Sequence, residues 1–153
     1  MSDLQKNYLE LQKKYALPSF EELHRSFELS SIDAAGNILR EICKKMDSKF
    51  DEIINLLQGI LQPETTIRDL HECRVFTEKN KTQAFSLYRK LMALRREASL
   101  LSLDSEEKKE AAYINASFVE WQGMKQQLQD IVIKIRDSWK KEISVKEELG
   151  YLG

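Results

Sequence analysis

Glycine and proline are nearly missing, at five and two residues in a chain of 153. Turns depend on these residues, so a chain this long with so few of them implies long, regular elements. The same scarcity leaves no glycine-rich loop to cradle a phosphate, and GxGxxG, Walker and GxSxG patterns are all absent. Cysteine is sparse too. Cys43 and Cys73 form no CxxC and have no second pair, so they read as small buried apolar residues in a reducing compartment rather than a disulfide. No apolar run reaches about 18 residues, the length a membrane-crossing helix needs, and Met1-Ser2-Asp3-Leu4-Gln5-Lys6 has no signal-peptide character. A cytoplasmic protein is expected. Charge of one sign is lacking as well: 25 acids and 24 bases leave a net charge of −1. A protein built mainly to hold nucleic acid has a clear basic excess.

What is present points one way. The chain is 42% hydrophobic and 32% charged, a globular or coiled-coil-like balance, and its length suits a single domain over 1–153. Leu4, Tyr8, Leu11 and Tyr15 step by four, three and four, predicting a first helix over 3–15. After Pro18, Ser19-Phe20-Glu21-Glu22 reads as a capping box for a short helix through Phe27. Ser30-Ser31-Ile32-Asp33 then opens a long helix to about residue 62. Its stripe is Ile32, Ala35, Leu39, Ile42, Met46, Phe50, Ile53, Leu57 and Ile60, every step being three or four, which strand alternation cannot generate. Pro63 marks the next turn. Thr66 recaps a short helix to about Phe76, and Thr77 caps a longer one carrying Ala84, Leu87, Leu91, Leu94, Ala98 and Leu101. Val75-Phe76-Thr77 reads equally as a break or as a bend in one helix. Asp104-Ser105-Glu106-Glu107 opens the last helix, over about 105–143, with Ile114, Phe118, Trp121, Met124, Leu128, Ile131, Ile135, Trp139 and Ile143 as its stripe. Gly123 is its one weak residue, read as a kink or a close helix contact. The expected fold is all-α: an elongated up-down bundle of three long helices over 31–143, with short N-terminal helices in 1–30 packed along it and a tail over 144–153.

Three constellations have residue types that could carry chemistry. A di-iron bundle needs two Glu-x-x-His pairs. Glu21-Glu22-Leu23-His24 supplies one, but Arg68 precedes His71 where the second needs a carboxylate, and no carboxylate stands in the stripe of a clear long helix. His24, Cys43, His71 and Cys73 are the right ligand types for zinc, yet His71 and Cys73 point about 200° apart on a helix. The paired carboxylates Glu21-Glu22, Glu106-Glu107 and Glu147-Glu148 fall at helix starts or in the tail, where the helix dipole and solvent account for them. No catalytic, metal or cofactor residue is assigned, and no small-molecule substrate is evident.

Surfaces remain. Arg89, Lys90 and Arg96 lie on the solvent side of one helix, and Lys134, Arg136, Lys140 and Lys141 near the end of the last. If the two faces adjoin, Arg89, Lys90, Arg96, Lys134, Lys140 and Lys141 suit RNA or another polyanion. Tyr8, Leu9 and Tyr15 at one end and Leu149, Tyr151 and Leu152 at the other are more apolar than termini need. The last helix also outruns its two long neighbours. Its apolar end must be shielded either by the N-terminal helix or by something else, which makes Trp139, Ile143, Leu149, Tyr151 and Leu152 a candidate partner-binding or self-association surface. The chain therefore reads as a non-enzymatic helical interaction module, such as a scaffold, adaptor or assembly factor. The alternative reading is an RNA- or ribosome-associated factor.

Overall fold

Five of the six described helices begin where a short polar side chain satisfies the free amides of a first turn. In the computed structural model, which describes residues 1–141, Ser2 and Gln5 form a reciprocal capping box that opens α1, Asp3–Tyr15. Ser19 caps α2, Phe20–Phe27, by accepting from Glu22 N. Asn37 accepts from Arg40 N and opens α3, Ile38–Leu61. Thr66 caps α4, Ile67–Arg74, and Thr77 with Asn80 forms a second capping box for α5, Glu78–Leu103. Helix α6, Glu107–Lys140, starts without a side-chain cap, but Glu107 and Glu110 lie in its first turn, where negative charge suits the helix dipole. The described residues are 80% helical and include no strand.

Two boundaries differ from the sequence reading. The first long helix starts at Ile38, not near Ile32, because Asp33 organises a turn instead. Its Oδ1 accepts from Ala35 N and its carbonyl from Gly36 N, a local arrangement that competes with helix. Ile32 is buried all the same, as a loop side chain. The last helix ends at Lys140, with Lys141 already extended. Val75-Phe76-Thr77 is a true break: Phe76 N bonds back to Cys73 O and Thr77 restarts the helix. Gly123 is neither a kink nor a close contact, since α6 is continuous through it and a Cβ there would meet nothing within 4 Å.

Cross-helix contacts set the topology. Arg95 of α5 donates to Asp47 of α3 at 2.9 Å and also reaches Asp51, and Lys134 of α6 donates to Asn80 of α5 at 2.8 Å. The start of α3 meets the start of α6 through Arg40 and Glu110 at 3.4 Å. Helices α3 and α6 are thus parallel, with α5 antiparallel to both: an up-down-up bundle. Its core contains Leu39, Ile42, Met46, Phe50, Leu57, Leu87, Leu91, Ile114, Trp121 and Leu128. Phe27 of α2 joins Phe50 and Trp121, with ring centroids 5.9 and 5.5 Å from its own, so the N-terminal helices are part of the core. Tyr8 is fully buried and its hydroxyl donates to Pro18 O.

The end of α6 is covered by α4, not by α1. Helix α1 lies at the opposite end, where Asn115 donates to Tyr15 O at 3.2 Å and Lys14 pairs with Glu107 at 3.5 Å. Around the far end, Ile60, Phe76 and Ile135 form a second apolar cluster. Gly59 lets α4 come close, since a Cβ there would sit 3.3 Å from Asp69 Oδ1.

Candidate functional site

Helix α5 turns one face to α3 through Leu91 and Arg95, and another to α6 through Asn80 and Leu87. Its remaining face repeats Phe85, Arg89, Met92, Arg96, Leu100 and Leu103 at steps of three and four. A helix brings such residues into line, so this is a second stripe, pointing away from the core. Phe85 is 51% exposed, Leu100 60% and Leu103 83%. Met92 is half-buried, Arg89 and Arg96 are exposed, and the Phe85 and Tyr88 rings stack with centroids 6.3 Å apart. From Phe85 to Leu103 the stripe runs about 27 Å. Glu97 is the one carboxylate between Glu78 and Asp104, and it lies about 100° around the helix from Arg96. The face is apolar and cationic; Met92 reaches back onto the core, while Phe85, Leu100 and Leu103 are left open to solvent among the described residues.

The expected polyanion set is divided. Arg89, Lys90 and Arg96 are exposed on α5, whereas Lys134, Lys140 and Lys141 lie at the end of α6. Lys134 is committed to Asn80 and sits 5.4 Å over the Phe76 ring. Along α5, Asn80 is about 14 Å from Arg89 and about 24 Å from Arg96. Asp130 and Asp137 share the Lys134 groove, and Arg136 pairs with Asp137 at 3.1 Å. Only Lys134 reaches from one basic set toward the helix that carries the other.

Of the expected apolar surface, Ile143, Leu149, Tyr151 and Leu152 lie outside the described residues. Trp139 is 46% exposed, and its other side is engaged. Its ring stacks on His71 of α4 at 3.9 Å between centroids, and its Nε1 donates to Glu72 at 2.7 Å. The His71 tautomer follows from its neighbours. Ser138 Oγ donates to Ile135 O, so His71 Nε2 donates to Ser138 Oγ at 3.2 Å, leaving Nδ1 to accept from Arg74.

One polar site escaped the sequence reading. Glu110 is 1% exposed, four residues before Ile114 on the same stripe. Ser105 Oγ donates to its Oε2 at 2.7 Å and Arg40 Nε lies 3.4 Å away, while Oε1 has no hydrogen-bond partner among the described residues. A cleft of about 440 Å³ adjoins it, walled by Cys43, Ala98 and Leu101. Cys43 is no nucleophile here: burial pushes its thiol up to about 12, so almost no thiolate forms near neutral pH.

The four residues considered for zinc are scattered. Cys43 sits beside Glu110, its thiol 3.6 Å from the Glu110 carbonyl, and His71 beside Ser138. Those points are about 40 Å apart along α6. His24 accepts from Leu29 N, and Cys73 donates to Leu70 O. Among the described residues no cluster of three metal-ligating side chains occurs, and no helix is long and apolar enough to cross a membrane. Compared with family models, curated proteins and solved structures, the chain matches none.

Proposed function

We propose that the chain is a non-enzymatic helical interaction module that holds a protein partner on the outer face of α5. The observation that carries this reading is the second stripe, whose Phe85, Leu100 and Leu103 are each more than half exposed. Large apolar side chains aligned on one face mark contact surfaces, and among the described residues none covers these three. A bundle whose core is already complete has no internal need for them. Trp139 offers a smaller apolar surface at the far end, already half used in holding α4. An RNA-associated role draws on the same arginines. It has less support, because Lys134 is tied to Asn80 and stands among Asp130 and Asp137.

The test compares the wild-type chain with a Phe85→Ser/Leu100→Ser double variant as bait in lysate with and without nuclease. Captured proteins are identified, purified and titrated against both baits. The reading expects a partner that binds the wild type saturably and the variant at least about tenfold more weakly, at unchanged helix content. Equal binding to both baits, or capture that disappears with nuclease, overturns it.

A further inference from the structure

We infer that the occupant of the α5 face is an acidic amphipathic helix of another protein, a conclusion that rests on the interaction-module reading above. The shape of the face selects a helix. It is one stripe wide and about 27 Å long, which matches some five turns of a partner helix laid alongside. Its apolar positions, Phe85, Met92, Leu100 and Leu103, step as the facing residues of such a helix would.

Charge selects the acid. Arg89 and Arg96 stand seven residues apart within the stripe, and neither has an ion-pair partner among the described residues; Lys90 and Glu97, also seven apart, share the next face of the helix and offset each other. By contrast, the neighbouring Arg95 is satisfied by Asp47 and Asp51. Two unpaired guanidinium groups beside apolar residues call for carboxylates at matching spacing on the partner.

Charge also argues against the other occupants. In a second copy of this chain, antiparallel two-fold pairing about Met92 would set each Arg89 against the other copy's Arg96, four cations in one seam. An anionic membrane is a plane, whereas the exposed apolar residues here form a single stripe with only two cations in it. An RNA backbone would leave Phe85, Leu100 and Leu103 facing phosphates.

The test is fluorescence polarisation of the full chain with labelled helical peptides of about five turns. One set carries apolar residues at three-four spacing flanked by Glu, and a matched set has Lys for Glu. The acidic set should bind saturably below about a millimolar, at least about tenfold more tightly than the basic set. Arg89→Glu/Arg96→Glu should reverse that order. Phe85→Ser/Leu100→Ser should weaken both sets, with circular dichroism confirming that each variant folds. Indifference to the charge swap, or no acidic peptide binding, overturns this inference but leaves the interaction module standing if a lysate partner still needs Phe85 and Leu100. Tighter binding to phosphatidylserine vesicles or an RNA oligonucleotide, or a dimer abolished by Phe85→Ser/Leu100→Ser, also overturns it.

Discussion

At the scale of single residues, the core side chains are the most constrained. Leu91 is fully buried in the bundle core, so Leu91→Ala removes packing contacts and leaves a void. The expected loss is about 2–5 kcal/mol in a urea titration. Glu110 obeys different physics. Its carboxylate is buried yet held by Ser105 and by a half-exposed Arg40, and removing it takes the acceptor from the Ser105 hydroxyl and leaves a void beside the cleft. Glu110→Ala should cost about 1–3 kcal/mol, read as a lower urea midpoint with unchanged slope. The two residues were not equally legible. Leu91 follows from helical spacing, as do Ile42, Met46, Leu94, Trp121 and Leu128, whereas Phe118, on the same stripe, is only partly buried. Glu110 has the spacing of a core residue and the chemistry of a helix start. Which of the two applies depends on Arg40, seventy positions away.

At the scale of elements, caps and breaks carry the information. Ser19, Thr66 and Thr77 mark the starts of α2, α4 and α5 in the sequence, because the side-chain bond they make is local. By contrast, the polar run Ser30 to Asp33 resembles a start but forms a turn ahead of the Asn37 cap of α3. Helix ends are less legible. Helix α1 stops at Ala16 with φ of 52°, a left-handed conformation that glycine adopts without steric cost. Ala16→Gly should therefore stabilise the protein by about 0.5–1 kcal/mol, seen as a higher melting temperature. Helix α4 is only eight residues long, too short to persist alone, and docks through His71 stacked on Trp139. Trp139→Ala should cost about 1–2 kcal/mol at that contact, seen as faster hydrogen exchange across Ile67–Arg74 with α3 and α5 protected. Uniform exchange in all helices would mean that the stack does not hold α4 separately. Sequence spacing placed Trp139 on an apolar stripe, but the partner that covers half of it comes from an element read only as a short recap.

At the scale of the whole molecule, packing decides how the chain responds to pH. Burial raises the Cys43 thiol from 9.0 to about 12 and pushes the Tyr8 and Tyr113 phenols well above their usual range. All three stay neutral in the fold, while their unfolded counterparts ionise at ordinary values. As pH rises past about 9 the unfolded chain binds fewer protons than the folded one, so stability falls. Cys43 alone contributes about 1.4 kcal/mol of loss per pH unit until its folded value is reached. Thermal melts under reductant should show a plateau below pH 9 and a decline above it, and Cys43→Val should flatten the first part of that decline. Equal alkaline sensitivity in the variant would remove Cys43 as its source.

The division between sequence and tertiary structure follows from range. Helical class, the number of long helices and the up-down-up order were determined by the sequence, because spacing, caps and scarce turns act over three or four residues, and short connections leave few topologies. What covers each helix face was decided only by packing. Helix α4 rather than α1 shields the end of α6, Glu110 lies inside, and the basic residues of α5 and α6 stay apart. The outer stripe of α5 shows the same limit. Phe85, Leu100 and Leu103 are apolar residues at helical spacing like those of the core, and only the placement of α3 and α6 leaves them facing solvent while Met92 packs on the core. A sequence records that a helix has two apolar sides. Which side is buried depends on the neighbours that the whole chain brings to it.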